Sequence, residues 1–244
     1  MKLTIYGNNA SCPAKDGACS CCLLEADQKN ILIDMGNGCL AKLQHHYDLS
    51  AINVIIISHL HFDHFADLFC AKYQLETRKS HGERIDRILL LTPALPDWAY
   101  NKLSTNNIFE MKTISDNMNL KIPDSSVDVS FIKVSHLVES YGMRFSCNNK
   151  IFAYSGDSGL CPELNRIASF AALFLCESSF LAQKEFDETH HLSAKSAANI
   201  SLEANAEKLV LTHYNPILKE ALLDEAKKYF SNVSIAEIFD SFEI

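Results

Sequence analysis

Three histidines and an aspartate stand within six positions of the chain, in the stretch SHLHFDH. They follow the apolar run VIII at residues 54–57, whose β-branched composition is typical of a buried strand. Imidazole and carboxylate groups are ligands for zinc, manganese or iron, and the stretch holds no cysteine for a structural thiolate site. One ion does not easily take four ligands from six consecutive residues. The stretch therefore predicts two adjacent metals, with these residues as partial ligand sets: His59, His61, Asp63 and His64.

The missing ligands are expected at the ends of later strands. Strand-like runs that end near residues 135, 156 and 212 each lead directly into a histidine or an aspartate. If these strand ends meet at one edge of the fold, their polar side chains come together with the SHLHFDH stretch. The additional candidate ligands are His136, Asp157 and His213.

The order of secondary structure predicts an α/β fold. Strand patterns dominate the first part of the chain, and strands alternate with helices later. The helical patterns cover residues 39–49, 193–205 and 216–230. This order fits two sheets packed face to face with helices outside. Because no linker, repeat or change of composition interrupts the chain, residues 1–244 are interpreted as one domain.

Composition and charge exclude several classes of protein. With 48% hydrophobic and 21% charged residues, the chain is typical of a globular domain. No apolar run approaches the ~18 residues of a membrane span, and the N-terminus has the pattern of a strand. A cytoplasmic protein without membrane contact is expected. The net charge of −8 and the absence of a basic tract argue against tight binding of a nucleic-acid backbone.

The cysteines cluster once, in ACSCCLL at Cys19, Cys21 and Cys22. A thiolate metal site would need a second pair of cysteines at suitable spacing, and none follows. Packing of small side chains in a strand and its entry loop is the favoured interpretation.

Taken in order, the motifs resemble those of the metallo-β-lactamase superfamily of hydrolases. The HxHxDH group is followed by a lone histidine, an aspartate in a G-D-S loop and a late histidine, and the resemblance extends from ILIDMG to LTHYNP. It implies a four-layer αβ/βα sandwich. It also implies that one metal is bound by His59, His61 and His136, a second by Asp63, His64 and His213, and both by a bridging Asp157.

Finer motifs resemble the ribonuclease Z and phosphodiesterase branch, namely SHLVESYGMRF and FLCESSF followed by HHLSAKSAA. In that branch His191 is expected to protonate the leaving group, and Glu177 to orient the site. Asp34 in LIDMGNG is expected to orient a metal-binding histidine, although a simple turn aspartate is equally consistent with the pattern. Tyr141 and Arg144 are candidates for phosphate or base contacts, with structural roles as the alternative.

Two departures argue against tRNA maturation. Ribonuclease Z carries a long arm between its third histidine and its bridging aspartate, whereas only residues 137–156 occupy this interval here. The glycine-containing continuation after HxHxDH is replaced by FADLFCAKY. A smaller phosphodiesterase is the better fit.

The sequence thus predicts a dinuclear metal-dependent hydrolase, favoured as a phosphodiesterase on a small or single-stranded phosphodiester. Two zinc or manganese ions would supply a bridging hydroxide as the nucleophile, with Asp63 accepting a hydrogen bond from it. The alternatives are a thioester, lactone or sulfate ester hydrolase, a tRNA 3′-processing endonuclease, and a non-catalytic metal or ligand sensor. No stable nucleic-acid complex is expected, and the resemblance suggests a homodimer.

Overall fold

The computed structural model describes residues 1–184 and 190–244. Within these residues, strands form two sheets of seven strands each. The first sheet contains, in spatial order, β14 (Ser241–Glu243), β1 (Lys2–Gly7), β2 (Cys21–Ala26), β3 (Lys29–Ile33), β4 (Val54–Ile56), β5 (Ile88–Thr92) and β6 (Phe109–Thr113). The second contains β13 (Val233–Ile235), β12 (Leu209–Thr212), β11 (Leu173–Glu177), β10 (Lys150–Tyr154), β9 (Tyr141–Cys147), β8 (Asp128–Lys133) and β7 (Asn119–Lys121).

Helices cover the outer faces of both sheets. The first sheet carries α1 (Cys39–Leu43), α2 (Phe62–Ser80) and α3 (Asp97–Leu103), and the second carries α4 (Glu163–Ala168), α5 (Ala194–Glu203) and α6 (Lys219–Lys227). The predicted helix at 39–49 is shorter, ending at Leu43, and a separate 3₁₀ turn forms at Leu49–Ala51. No described helix is long and apolar enough to cross a membrane.

Three apolar cores separate the four layers, and the VIII run shows how the sequence builds them. Val54 and Ile56 point into the core between the sheets, while Ile55 and Ile57 point into the core beneath α2. All four side chains are at most 2% exposed. Because side chains alternate across a strand, a strand that is buried on both faces is apolar at every position. The predicted αβ/βα sandwich is confirmed.

Strand direction brings the predicted ligands to one edge. Strands β10, β11 and β12 are mutually parallel, and β9 is antiparallel to both β8 and β10. The carboxyl ends of β8, β10, β11 and β12 therefore lie at the same edge of the second sheet. The predicted convergence of strand ends is confirmed.

The cysteine cluster packs as predicted. Cys19, Cys21 and Cys22 are buried free thiols, each at most 3% exposed. Cys21 and Cys22 lie in β2, and Cys19 lies in the loop that enters this strand.

Candidate metal centre

The SHLHFDH stretch connects β4 to α2, and the start of the helix divides its ligands into two sets. His59 is fully buried in the loop after β4, and His61 is the residue that caps the N-terminus of α2. Asp63 and His64 lie in the first turn of this helix. A carboxylate in the first turn is stabilised by the helix dipole. The stretch therefore offers two ligands before the helix and two within it.

The first set of ligand atoms consists of three ring nitrogens. His61 Nδ1 lies 3.2 Å from His59 Nε2 and 3.1 Å from His136 Nε2. The Nδ1–H of His136 donates to the backbone carbonyl of His190 at 2.9 Å. His136 therefore presents the lone pair of Nε2 to the other two rings.

The second set surrounds the Asp157 carboxylate. Asp157 Oδ2 lies 3.3 Å from His64 Nε2 and 3.2 Å from His213 Nε2. His213 Nε2 is in turn 3.3 Å from Asp63 Oδ2. Asp157 Oδ2 also lies 3.7 Å from His59 Nε2, a member of the first set. Asp157 thus contacts both sets, which is the position expected for a bridging ligand.

Asp34 orients the histidines on the first sheet. This carboxylate is fully buried, and its Oδ2 accepts hydrogen bonds of 2.8 Å from His64 Nδ1 and from Ser58 Oγ. Because the Ser58 hydroxyl donates to Asp34, it can accept from His59 Nδ1, 3.1 Å away. Tyr154 Oη donates to the same carboxylate. Asp34 is therefore an orienting residue, and not a simple turn aspartate.

Glu177 has the equivalent position on the second sheet. It is also fully buried, and its Oε1 accepts from His191 Nδ1 at 3.0 Å. Ser179 Oγ donates to Glu177 Oε2 at 3.0 Å and lies 3.2 Å from His213 Nδ1. The backbone N–H groups of Ser158 and Leu192 complete the shell of the carboxylate. As with Asp34, one buried carboxylate contacts one histidine directly and a second histidine through a serine hydroxyl.

The charges of these groups reflect their burial and their neighbours. Burial lowers the pKa of His59 well below its usual value and that of His136 to about 4. Burial alone would lower the pKa of His191, but the Glu177 carboxylate raises it to about 9. Burial alone would raise the pKa of Asp157, yet the imidazoles of His213 and His64 hold it well below its usual range.

Within the two ligand sets, His64 Nε2 and Asp157 Oδ1 are buried and have no assigned hydrogen bond among the described residues, although His64 Nε2 lies 3.3 Å from Asp157 Oδ2. Orphaned buried polar atoms are costly unless another group satisfies them. The donor set of imidazoles and carboxylates matches the ligand preference of zinc and similar ions. The atoms of each set lie within 4.8 Å of one another. The residues present therefore fit divalent ions.

The backbone around the site is held in unusual conformations. Asp34 and His213 have φ values of 57° and 52°, in the left-handed region that non-glycine residues rarely adopt. Gly156, immediately before Asp157, has a φ of 61°, and a Cβ there would lie 2.8 Å from the Tyr141 carbonyl oxygen. Only glycine fits this position, which sets the direction of the Asp157 loop.

A cavity of about 510 Å³ opens onto the ligand sets. Its walls come from both sheets and from the N-terminal loop. The lining residues are Ala10, Ser11, His61, Phe62, Asp63, Asp157, Ser179, His191, His213 and Asn215. His191 lines the cavity, whereas His190 contributes its backbone carbonyl to His136.

The structure brings together all nine predicted site residues, although their roles in binding and catalysis stay predictions. Arg144 and Tyr141 are structural instead. The Arg144 guanidinium donates to carbonyl groups at the end of α4, including that of Ile167 at 2.6 Å, and Tyr141 Oη donates to Glu139. Sequence reasoning missed Ser58 and Ser179. Ser58 directly precedes His59, and Ser179 stands two positions after Glu177, and this nearness to predicted site residues is the signal that could have identified them.

Known proteins resemble this chain in sequence and in fold. The family model of the beta-lactamase superfamily domain matches residues 29–214. An uncharacterized protein of Mycobacterium leprae, ML1173, is 30% identical over 98% of this chain and 88% of its own length. The ribonuclease Z of Sulfolobus acidocaldarius is 24% identical over 90% of this chain and 91% of its own.

Among solved structures, the metallo-beta-lactamase fold protein YhfI of Bacillus subtilis superposes with a TM-score of 0.93. It is 25% identical, and the match covers 99% of this chain and 98% of that one. The fold and the site define a metal-dependent hydrolase. The chain belongs to the beta-lactamase superfamily, and the predicted resemblance to its ribonuclease Z-like branch is confirmed. This membership implies binding of divalent metal.

Proposed function

We propose that the chain is a dinuclear metal-dependent phosphodiesterase acting on a small or short single-stranded phosphodiester. The observation that carries the proposal is the position of Asp157. This carboxylate contacts both ligand sets, and it also lies 3.8 Å from His191 Nδ1. Two candidate ligand sets and a candidate proton donor therefore lie around one carboxylate. Similarity to a ribonuclease, an enzyme class that cleaves phosphodiesters, supports the choice of bond.

Each ligand set would hold one ion. One ion would be held by His59, His61 and His136, the other by Asp63, His64 and His213, with Asp157 shared. Two bound divalent ions, zinc foremost and manganese second, would lower the pKa of a water and neutralise charge on the phosphoryl oxygens.

The protein residues contribute orientation and proton transfer. Glu177 fixes His191 through Nδ1, so a proton on Nε2 is available to the oxygen that leaves phosphorus. Asp63 lies at the cavity wall, where its carboxylate can accept a hydrogen bond from the attacking water. Both groups are held before substrate binds, which lowers the reorganisation needed in the transition state.

The first test is hydrolysis of bis(p-nitrophenyl) phosphate by the purified protein with its metal content measured. Activity should disappear on chelation, return with zinc or manganese, and be lost in His61→Ala. A protein that retains full metal loading and cleaves no phosphodiester would contradict the proposal. Parallel assays on a thioester, a lactone and an aryl sulfate test the alternative hydrolases. A higher rate on one of these substrates than on the phosphodiester would favour that alternative.

The role of His191 has a sharper test. A p-nitrophenolate leaves phosphorus without a proton, whereas an alkoxide needs one. His191→Ala should therefore reduce cleavage of a dialkyl phosphodiester about 10²–10³-fold and cleavage of a p-nitrophenyl ester much less. An equal loss on both esters would instead assign His191 to the structure of the site.

Within the part of the chain that the structure describes, the cavity wall contains no lysine or arginine, which favours a small substrate over a long nucleic-acid backbone. We expect no stable complex with nucleic acid. A gel-shift assay with precursor tRNA, paired with a 3′-processing assay, checks this expectation. Tight binding and cleavage would favour the endonuclease alternative.

A further inference from the structure

An aromatic surface borders the cavity on the side of α2. Phe62 stands in the chain between two candidate site residues, His61 and Asp63, and its side chain lines the same cavity. The residue is nevertheless 66% exposed, which is unusual for a phenylalanine next to a buried polar site. Packing of the core does not explain this ring.

Two aromatic rings contact Phe62, and a third packs behind them. The fully buried Phe65 is stacked on it, with ring centroids 5.6 Å apart and an interplanar angle of 14°. Trp98 lies 6.3 Å away at 36°, and Trp98 is itself stacked on Phe69 at 6.1 Å. Phe65 therefore supports one face of the Phe62 ring. The opposite face is not stacked on any ring of the residues that the structure describes.

The chemistry of the cavity restricts what this face can bind. The lining contains no lysine or arginine among the described residues, so besides the bound ions a substrate with several negative charges would find a positive side chain only at His191. A flat apolar surface favours a planar ring, because aromatic groups stack in offset geometry with a gain beyond simple burial. A substrate with a single phosphodiester charge and a planar ring satisfies both the ligand sets and the aromatic surface.

We propose that Phe62, supported by Phe65 and Trp98, is a stacking platform that selects phosphodiesters carrying a planar aromatic ring, such as a nucleobase or an aryl group. The platform determines specificity and takes no part in bond cleavage. This inference rests on the proposed phosphodiesterase function, because the ring it assigns is esterified to the phosphate.

The test compares two esters that differ only in the flatness of one ring and carry no other aromatic group: benzyl methyl phosphate and cyclohexylmethyl methyl phosphate. The methyl group and the linking carbon are the same. Burial alone favours the more apolar cyclohexyl ring, so a preference for benzyl reports stacking. The native protein should show a kcat/KM about fivefold higher for the benzyl ester. In Phe62→Leu the ratio should fall to one or below.

Phe170→Leu is the matched control. Phe170 is 69% exposed, follows α4 and does not line the cavity. Its replacement should leave the ratio and both rates unchanged. If Phe62→Leu reduces both esters equally, or leaves the ratio unchanged, the platform is wrong. If it also changes the oligomeric state measured by sedimentation, the aromatic surface is an interface between copies of the chain.

A binding measurement separates failure of the platform from failure of the proposed function. Calorimetric titration of the metal-loaded protein with benzyl phosphate and with cyclohexylmethyl phosphate needs no turnover. Tighter binding of benzyl phosphate that depends on Phe62, without cleavage of either diester, would keep the platform and overturn the phosphodiesterase. Cleavage of both diesters with no ring preference would keep the phosphodiesterase and overturn the platform. Thymidine 5′-methyl phosphate, compared with the benzyl ester, distinguishes a nucleobase from an aryl ring.

Discussion

The two sheets build the two halves of the site in different ways. On the first sheet, four candidate ligands come from one short stretch between β4 and α2, and Asp34 orients two of them. On the second sheet, His136, Asp157 and His213 follow the ends of three different strands, His191 lies just before α5, and Glu177 at the end of β11 orients two of the histidines. The contiguous half depends on local chain geometry, whereas the dispersed half depends on the register of β8, β10, β11 and β12. Both halves nevertheless use the same device, a buried carboxylate that reaches a second histidine through a serine.

The largest expected effect is at Asp157, which belongs to both halves. Asp157→Asn keeps the size of the side chain and removes the charge shared by the two ligand sets. Metal content should fall and phosphodiester turnover should decrease by about 10³-fold or more, because both cation sites lose a ligand. Metal analysis and steady-state kinetics measure the two effects.

Asp124→Asn is the control for this substitution, since Asp124 is exposed and outside the site, and asparagine tolerates its φ of 52°. Full metal content and normal turnover in Asp157→Asn would refute the shared position.

The next effect compares the two orienting carboxylates. Asp34→Asn should lower metal affinity about 10–100-fold, because His64 loses the acceptor that holds its ring. Asparagine suits the left-handed backbone at this position, so backbone strain does not increase. Glu177→Gln should instead reduce turnover more than metal affinity, because Glu177 holds His191.

Competition with a chromogenic chelator measures the affinities. If both variants lose metal equally and keep equal turnover when saturated with metal, Asp34 and Glu177 do not have the different effects on metal affinity and turnover that we expect.

A smaller effect is expected at the two serines. Ser58→Ala removes the hydroxyl between His59 and Asp34, and Ser179→Ala removes the one between His213 and Glu177. Each leaves a buried imidazole N–H without its acceptor, at a cost of ~1–3 kcal/mol. Turnover should fall by about tenfold in each variant. Ser→Thr at either position, which retains the hydroxyl, should recover most of the activity, and a failure of this rescue would assign the loss to packing.

The smallest effect on activity is expected at Arg144, which does not line the cavity. Arg144→Met should lower the free energy of unfolding by ~1–3 kcal/mol, because three carbonyl groups near the end of α4 lose their donor. The kcat/KM for a phosphodiester should stay unchanged. Urea unfolding gives the first quantity. A large fall in kcat/KM with normal stability would restore the phosphate-binding role that the sequence suggested.

The features that could be predicted from the sequence are those that depend on local chain geometry. The ligands of SHLHFDH could be predicted because their spacing in the chain sets their spacing in space. The VIII run could be predicted to be a buried strand because both of its faces need apolar side chains. Helix α1 was predicted too long, since its pattern of Leu40, Leu43 and Tyr47 continues after the backbone leaves the helix at Gln44. Periodicity reports which face is apolar, and it does not report where the hydrogen bonds of a helix end.

The sequence by itself determined the type of ligand, the presence of two sheets and the family, because residue chemistry and strand periodicity are local properties. Only the tertiary structure decided which contacts each side chain makes. It placed Arg144 against the end of α4, separated His191 from His190, and turned Asp34 from one of two open interpretations into the residue that orients His64. The structure also shows that Phe62 is exposed and lines the cavity. The sequence pattern shows only an apolar residue at the start of a helix. Such roles depend on contacts between residues distant in the chain, which the packing of two sheets creates and no local pattern contains.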